Sequence, residues 1–160
     1  FHTMPVGLLI NSFLVNSKCK SYLELGSGFG PILLLAGLGV KDSKRVHKWK
    51  EDYSITGLDL KDDRIEFSRE LLKRHGIEGT ILKEDALTAK WGSDVDVLFV
   101  DCGYRTVNAL LEKYSKYVRV AIFIHDISPR YPVEIPDNFI PFQLKEEKTI
   151  LAINKNFLYE

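Results

Sequence analysis

The spacing of apolar and polar positions changes several times along the chain, and each change marks an element. From Pro5 to Asn16, Val6, Leu8, Leu9, Phe13 and Leu14 suit a short helix lying against a sheet edge. Ser21 to Leu25 is a short apolar strand that runs into glycines and then into Pro31-Ile32-Leu33-Leu34-Leu35-Ala36, the opening of a buried helix. Gly37-Leu38-Gly39 predicts the end of that helix. Tyr53 to Asp59 reads as the second strand. Lys61 to His75 reads as an amphipathic helix with Ile65, Phe67, Leu71 and Leu72 inward, stopped by Gly76. Thr80–Asp85 and Val95–Asp101 predict strands three and four, Val107–Tyr117 a helix, and Val120–Ile124 strand five. Strands alternate with helices, and the later strands are continuous apolar runs, which marks a parallel sheet buried on both faces.

Two segments break this rhythm. Lys41 to Asp52 mixes Lys41, Lys44, Arg45, Lys48 and Lys50 with Asp42, Glu51 and Asp52, around His47 and Trp49. It reads as a solvated surface excursion or, alternatively, as a basic binding patch. It stretches the connection from Gly30 to Asp59 to 29 residues, against roughly 20 in nucleotide-binding folds of this kind. Ser128 to Asn138 carries Pro129, Pro132 and Pro136 and is a loop. Beyond it, Phe139–Lys145 and Thr149–Lys155 flank Glu146-Glu147-Lys148 as a hairpin.

Composition changes this picture little. The 160 residues suit one domain spanning 1–160, and 45% hydrophobic with 28% charged residues is ordinary for a globular protein. Twenty-two basic side chains balance 22 acidic ones, so no global charge favours nucleic acid, which is not expected as a partner. No apolar run is long enough for a membrane helix. Cys19 and Cys102 have no metal or redox spacing, pointing to a reduced, cytoplasmic setting. The sequence starts at Phe1 without an initiator Met, so a truncated N-terminus is the expectation.

The chemistry gathers at Tyr22-Leu23-Glu24-Leu25-Gly26-Ser27-Gly28-Phe29-Gly30. Glycines permit a tight turn and let the backbone approach a ligand, and the following helix N-terminus offers unpaired N–H groups. An ordinary strand-to-helix connection would also account for such a turn. Pro31 breaks the dinucleotide pattern, which needs Gly or Ala at its last position, and no Lys-Ser or Lys-Thr follows to make a phosphate loop. Asp59, Asp85, Asp101 and the His125-Asp126 pair then fall at or just beyond successive strand ends, where open α/β sheets bind ligands.

This series resembles the class I S-adenosylmethionine (SAM) methyltransferases, whose first motif is E-x-G-x-G-x-G. The resemblance covers most of the chain, from about Thr3 on, and implies a three-layer Rossmann-like α/β sandwich. Its seven-stranded, mostly parallel sheet would end in an antiparallel hairpin. Carried over, Glu24 and the turn of Gly26, Ser27, Gly28 and Gly30 hold the cofactor's amino acid end. Asp59 accepts from the ribose hydroxyls, Leu60 covers the adenine, and Asp85, with Ala86 beside it, accepts from the adenine's amine. Asp101 would stand near the methyl group. Replacing Asp59 should then weaken cofactor binding and leave the fold intact.

Asp101-Cys102-Gly103-Tyr104 and Ile124-His125-Asp126 are similar to the D-G-x-H and strand-five H-D patterns of the type 24 methyltransferases, which act on small molecules and sugars. Catechol-type relatives bind Mg²⁺ at these strand ends, which would make Asp101 and Asp126 metal ligands. Here Tyr104 replaces the His, and Ile127 replaces the Asn that follows the second Asp. His125 is the candidate base, with Tyr104 and Asp126 as further catalytic candidates; a histidine capping strand five is the plainer reading of His125. In an extended strand His125 and Asp126 point to opposite faces, and Asp126 is expected to face the cofactor. The acceptor, a small molecule by this resemblance, would be met by the N-terminal segment, the 102–106 and 128–138 loops and, in a homo-oligomer, a partner subunit. A non-catalytic SAM-fold protein and an RNA or protein methyltransferase are the alternatives.

Overall fold

The computed structural model describes residues 4–144 and 148–158. Its elements in chain order are α1 (Met4–Asn16), β1 (Ser21–Leu25), α2 (Pro31–His47), β2 (Ser54–Asp59), α3 (Asp62–Arg74), β3 (Thr80–Lys83), β4 (Val95–Val100), α4 (Val107–Tyr114), β5 (Val118–Ile124), β6 (Phe139–Leu144), β7 (Thr149–Asn154) and the short α5 (Lys155–Leu158). A single 3₁₀ turn, Ser115–Tyr117, joins α4 to β5.

The strands form one seven-stranded sheet in the order β3-β2-β1-β4-β5-β7-β6. All pairs are parallel except the two made by β7, which runs against both β5 and β6. This is the Rossmann-like α/β architecture, mostly parallel with an antiparallel end, that the sequence leads one to expect. Alternate residues of the central strands feed two cores. Tyr22, Val97, Phe99 and Phe123 pack with α1, α2 and α3 on one face. Leu23, Leu98, Val100 and Ile122 pack with α4 on the other, where Ala89, Trp91, Val133 and Ile135 from two connecting segments complete the cover. Pro141, which cannot donate a ladder hydrogen bond, sits in β6 at the sheet edge.

α2 does not stop at Gly37-Leu38-Gly39. It continues to His47 and ends at Lys48, whose φ of 56° closes it in the left-handed conformation. The glycines serve helix packing: a Cβ on Gly39 would stand 2.9 Å from the Asn11 carbonyl oxygen of α1. Asn11 Nδ2 donates to the Leu35 carbonyl across the same contact at 2.8 Å. The supposed surface excursion is therefore half helix, with Ser43 buried. Phe67 also departs from expectation. It is half exposed and meets Phe29 edge to face at 5.6 Å. Glu146 and Glu147 of the expected hairpin turn lie outside the described residues, and Lys148 lies within them.

Candidate functional site

Strand order reverses between β1 and β4, and a cavity of about 480 Å³ opens at the C-terminal ends of these strands and their neighbours. That is where open α/β sheets hold ligands. Its wall includes Gly26 from the glycine turn, Leu58, Asp59 and Leu60 at the end of β2, and Glu84, Asp85, Ala86 and Leu87 beyond β3. Asp101, Cys102 and Thr106 follow β4.

The glycine turn is pinned from below. Gly26 and Ser27 both donate their N–H to the Leu58 carbonyl at 2.9 Å. Gly26 has φ 83°, and a Cβ there would stand 2.5 Å from the Asp101 carbonyl oxygen. Only glycine fits a position that needs both a positive φ and so close an approach.

Asp59 is buried, and its carboxylate serves the turn as well as the cavity. Oδ2 accepts the Gly28 N–H at 2.8 Å, while Oδ1 accepts those of Leu60 and Lys61 at 2.8 and 2.9 Å. Arg64 Nη1 stands 4.0 Å from Oδ2, and its guanidinium lies over the Phe29 ring. Asp85 Oδ1 accepts the Leu87 N–H at 2.9 Å, and the Ala86 carbonyl accepts from the Tyr114 hydroxyl at 2.8 Å. Both interactions fix the turn beyond β3.

Of the ten residues assigned to the cofactor by sequence, Gly26, Asp59, Leu60, Asp85, Ala86 and Asp101 are on the cavity wall. Glu24 lies behind it, 2% exposed, accepting a 3.0 Å hydrogen bond from the Tyr22 hydroxyl. Burial pushes its carboxyl well above the usual range, although the Tyr22 hydrogen bond opposes this; the nearby Asp101 and Asp59 charges push the same way as burial. Ser27 is buried with its Oγ unpartnered, and Gly28 and Gly30 complete the turn with φ of 54° and 81°.

His125, Asp126 and Tyr104 stand off the wall. The β5–β7 register pairs Ile124 with Ile150 and so brings His125 to Thr149; Nδ1 lies 2.9 Å from Thr149 Oγ1. The His125 N–H donates to the Val100 carbonyl at 3.0 Å, which carries the β4 pairing one residue past the strand. Its ring centroid is 6.3 Å from that of Phe99. The chain leaves the extended conformation at Asp126, which is exposed with φ 55°. Burial raises the Asp101 carboxyl; His125 pulls it down and Asp126 pushes it further up. These groups thus share one field at the ends of β4 and β5. Among the described residues, no three His, Cys, Asp or Glu side chains form a metal-ligating group. Tyr104 stacks on Tyr131, with centroids 4.7 Å apart.

Sequence reading missed Leu58, Lys61, Arg64, Glu84, Leu87 and Leu110 on the wall, and it placed Cys102 and Thr106 only in the loop that meets the acceptor. Arg64 had a usable signal, since it lies in the first turn of the helix that follows the acidic end of β2. The Lys44–Lys50 patch gives little support to a binding face. Lys20 and Lys44 both lie over the Trp49 ring, Lys20 pairs with Glu51 at 2.7 Å, and Lys44 donates to the Glu51 carbonyl. The patch precedes β2, at the opposite end of the sheet from the cavity. No helix among the described residues is long and apolar enough to cross a membrane.

No protein-family model matches the chain, and no curated protein matches it in sequence. Solved structures do. The SAH-bound methyltransferase PaMTH1 of Podospora anserina matches with a TM-score of 0.73 at 15% identity, over 93% of this chain and 77% of that one. A methyltransferase from Geobacter sulfurreducens gives 0.73 at 16% identity, over 94% and 78%. An O-methyltransferase from Bacillus cereus in complex with SAH gives 0.67 at 13%, over 94% and 80%. The chain therefore has the fold of the SAM-dependent methyltransferases.

Proposed function

We propose that this chain is a SAM-dependent methyltransferase acting on a hydroxyl of a small molecule or sugar. The observation that carries the reading is the Asp59 carboxylate, set on the cavity wall beside a glycine turn at the point where strand order reverses. A carboxylate is acceptor-only, so Asp59 can take hydrogen bonds from a ribose diol. Leu60 offers an apolar surface to the adenine, and Asp85 an acceptor for its amine. Glu24 and the N–H groups of the turn serve the amino acid end. Asp59, Glu84, Asp85 and Asp101 outnumber Lys61 and Arg64 on the wall, a balance that suits a sulfonium cation.

SAM supplies the reactive methyl group, and the protein must align the acceptor with it and remove the hydroxyl proton. In the tautomer whose Nδ1–H donates to Thr149 Oγ1, His125 keeps a lone pair on Nε2, and this is the form that serves as the base. Asp101 and Asp126 fit Mg²⁺ only in a minimal form, as two carboxylate ligands completed by acceptor and water. No step of this mechanism depends on it.

One observation favours the non-catalytic alternative: His125, Asp126 and Tyr104 are all absent from the cavity wall. Calorimetric titration with SAM, SAH and NAD, followed by a methyl-transfer assay, separates the readings. Binding of SAM or SAH with NAD inert supports the cofactor assignment. Tight NAD binding without a response to SAM would sink it.

A further inference from the structure

The Tyr104–Tyr131 pair stands off the cavity wall, and its construction is more than a chance surface contact. Tyr104 and Arg105 occupy the short loop between Cys102 and Thr106, both of which line the cofactor cavity. The loop is held by the Thr106 hydroxyl, which lies 3.1 and 3.0 Å from the Cys102 and Gly103 carbonyls. Tyr131 comes from the proline-rich loop, five residues after Asp126. That loop is tied to α4 by both ends of one side-chain amide: Asn108 Nδ2 donates to the Pro132 carbonyl at 3.1 Å, and Oδ1 accepts the Glu134 N–H at 3.0 Å. The Ser128 carbonyl also accepts the Tyr131 N–H at 3.0 Å. Two separately anchored loops thus present their tyrosines to each other.

The rings are inclined by 32° and remain 38% and 40% exposed, so each keeps free surface for a third flat group. The Arg105 guanidinium lies 5.9 and 6.0 Å from the two centroids, and Arg130 adjoins Tyr131. Among the described residues Arg105 has no ion-pair partner within 4.0 Å. Glu134 and Asp137 gather instead with Ala109 and Glu112 along α4. Aromatic faces stack on planar rings, and an unpaired guanidinium is the natural fork for a carboxylate.

We propose that Tyr104, Arg105 and Tyr131 form the acceptor subsite, taking a planar hydroxylated ring that bears an anionic group. The tyrosines select flatness, Arg105 selects the charge, and the hydroxyl is left for His125. This inference rests on the methyltransferase reading above and specifies its substrate class.

The test uses the full chain loaded with SAH and three probes: 4-hydroxybenzoate, the neutral 4-hydroxybenzyl alcohol and the saturated 4-hydroxycyclohexanecarboxylate. Calorimetry should show 4-hydroxybenzoate binding at least about tenfold tighter than either of the others. Arg105→Gln should abolish the preference over the neutral ring. Tyr131→Ala should abolish the preference over the saturated acid, and Tyr131→Phe should keep it. SAH affinity should be unchanged in all three variants, which also reports that they fold. Equal binding of the probes, binding of none, or a preference that survives both Arg105→Gln and Tyr131→Ala overturns the subsite. If SAH itself does not bind, the cofactor reading falls, and the same titrations on the SAH-free chain still decide the subsite by the same criteria.

Discussion

The carboxylate of Asp59 accepts the backbone N–H of Gly28 at 2.8 Å, so the end of β2 holds the glycine turn in place. One side chain thus faces the cavity and fastens the glycine turn beside it. Sequence alone suggests that Asp59 is dispensable for the fold; three N–H groups that would lose their acceptor argue otherwise.

Asp59→Ala should weaken SAH binding by about 1.5–3 kcal/mol and also lower the melting temperature, because three part-buried N–H groups lose their acceptor. Titration calorimetry and thermal unfolding on the same sample read the two effects. A variant with wild-type affinity would show that the ribose lies elsewhere. Unchanged melting would show that the turn does not need this carboxylate.

His125→Asn should reduce methyl transfer by on the order of 10²-fold or more, with SAH affinity unchanged. Retained turnover would assign His125 to the end of strand five as a structural group.

The buried Glu24 carboxyl has its affinity for protons raised above the usual value of 4.5. A proton held in the folded state but released on unfolding stabilises the fold at low pH, fully so below that usual value. The contribution is lost as pH rises from there toward the raised folded value. Asp101, also raised, works in the same direction. In urea titrations from pH 4 to 8, Glu24→Gln should fall less steeply with rising pH than the wild type. Parallel curves would mean that Glu24 is ionised without penalty.

Gly39→Ala separates a packing glycine from a terminating one. Helix propensity favours Ala by about 1 kcal/mol. The added Cβ, however, would meet the Asn11 carbonyl at 2.9 Å. Net destabilisation of about 1–3 kcal/mol in chemical denaturation is expected, as for an overpacked contact. A stabilised variant would show that α1 can give way.

The strands were readable because β1, β4 and β5 bury nearly every residue, leaving unbroken apolar runs. Asp59, Asp85 and Asp101 were readable as strand-end carboxylates because each follows an apolar run, whereas the turn of the chain at Asp126 leaves no local signal. The length of α2 was hidden because glycine that stops a helix and glycine that lets another helix approach look alike in one dimension. Phe67 was misplaced because its partner, Phe29, comes from the glycine turn, outside the helical pattern. The His125–Thr149 contact depends on the β5–β7 register across 24 residues, which no local spacing encodes.

β7 is among the last segments of the chain, yet it lies inside the sheet, between β5 and β6. During synthesis β5 must therefore wait with an open flank, and its residues Ala121 to Ile124 have no neighbour on that side until Ile150 to Ile153 have been made. An unpaired apolar strand is an adhesive edge. The nascent chain is thus most vulnerable to misassembly after the parallel half of the sheet exists and before β7 has left the ribosome.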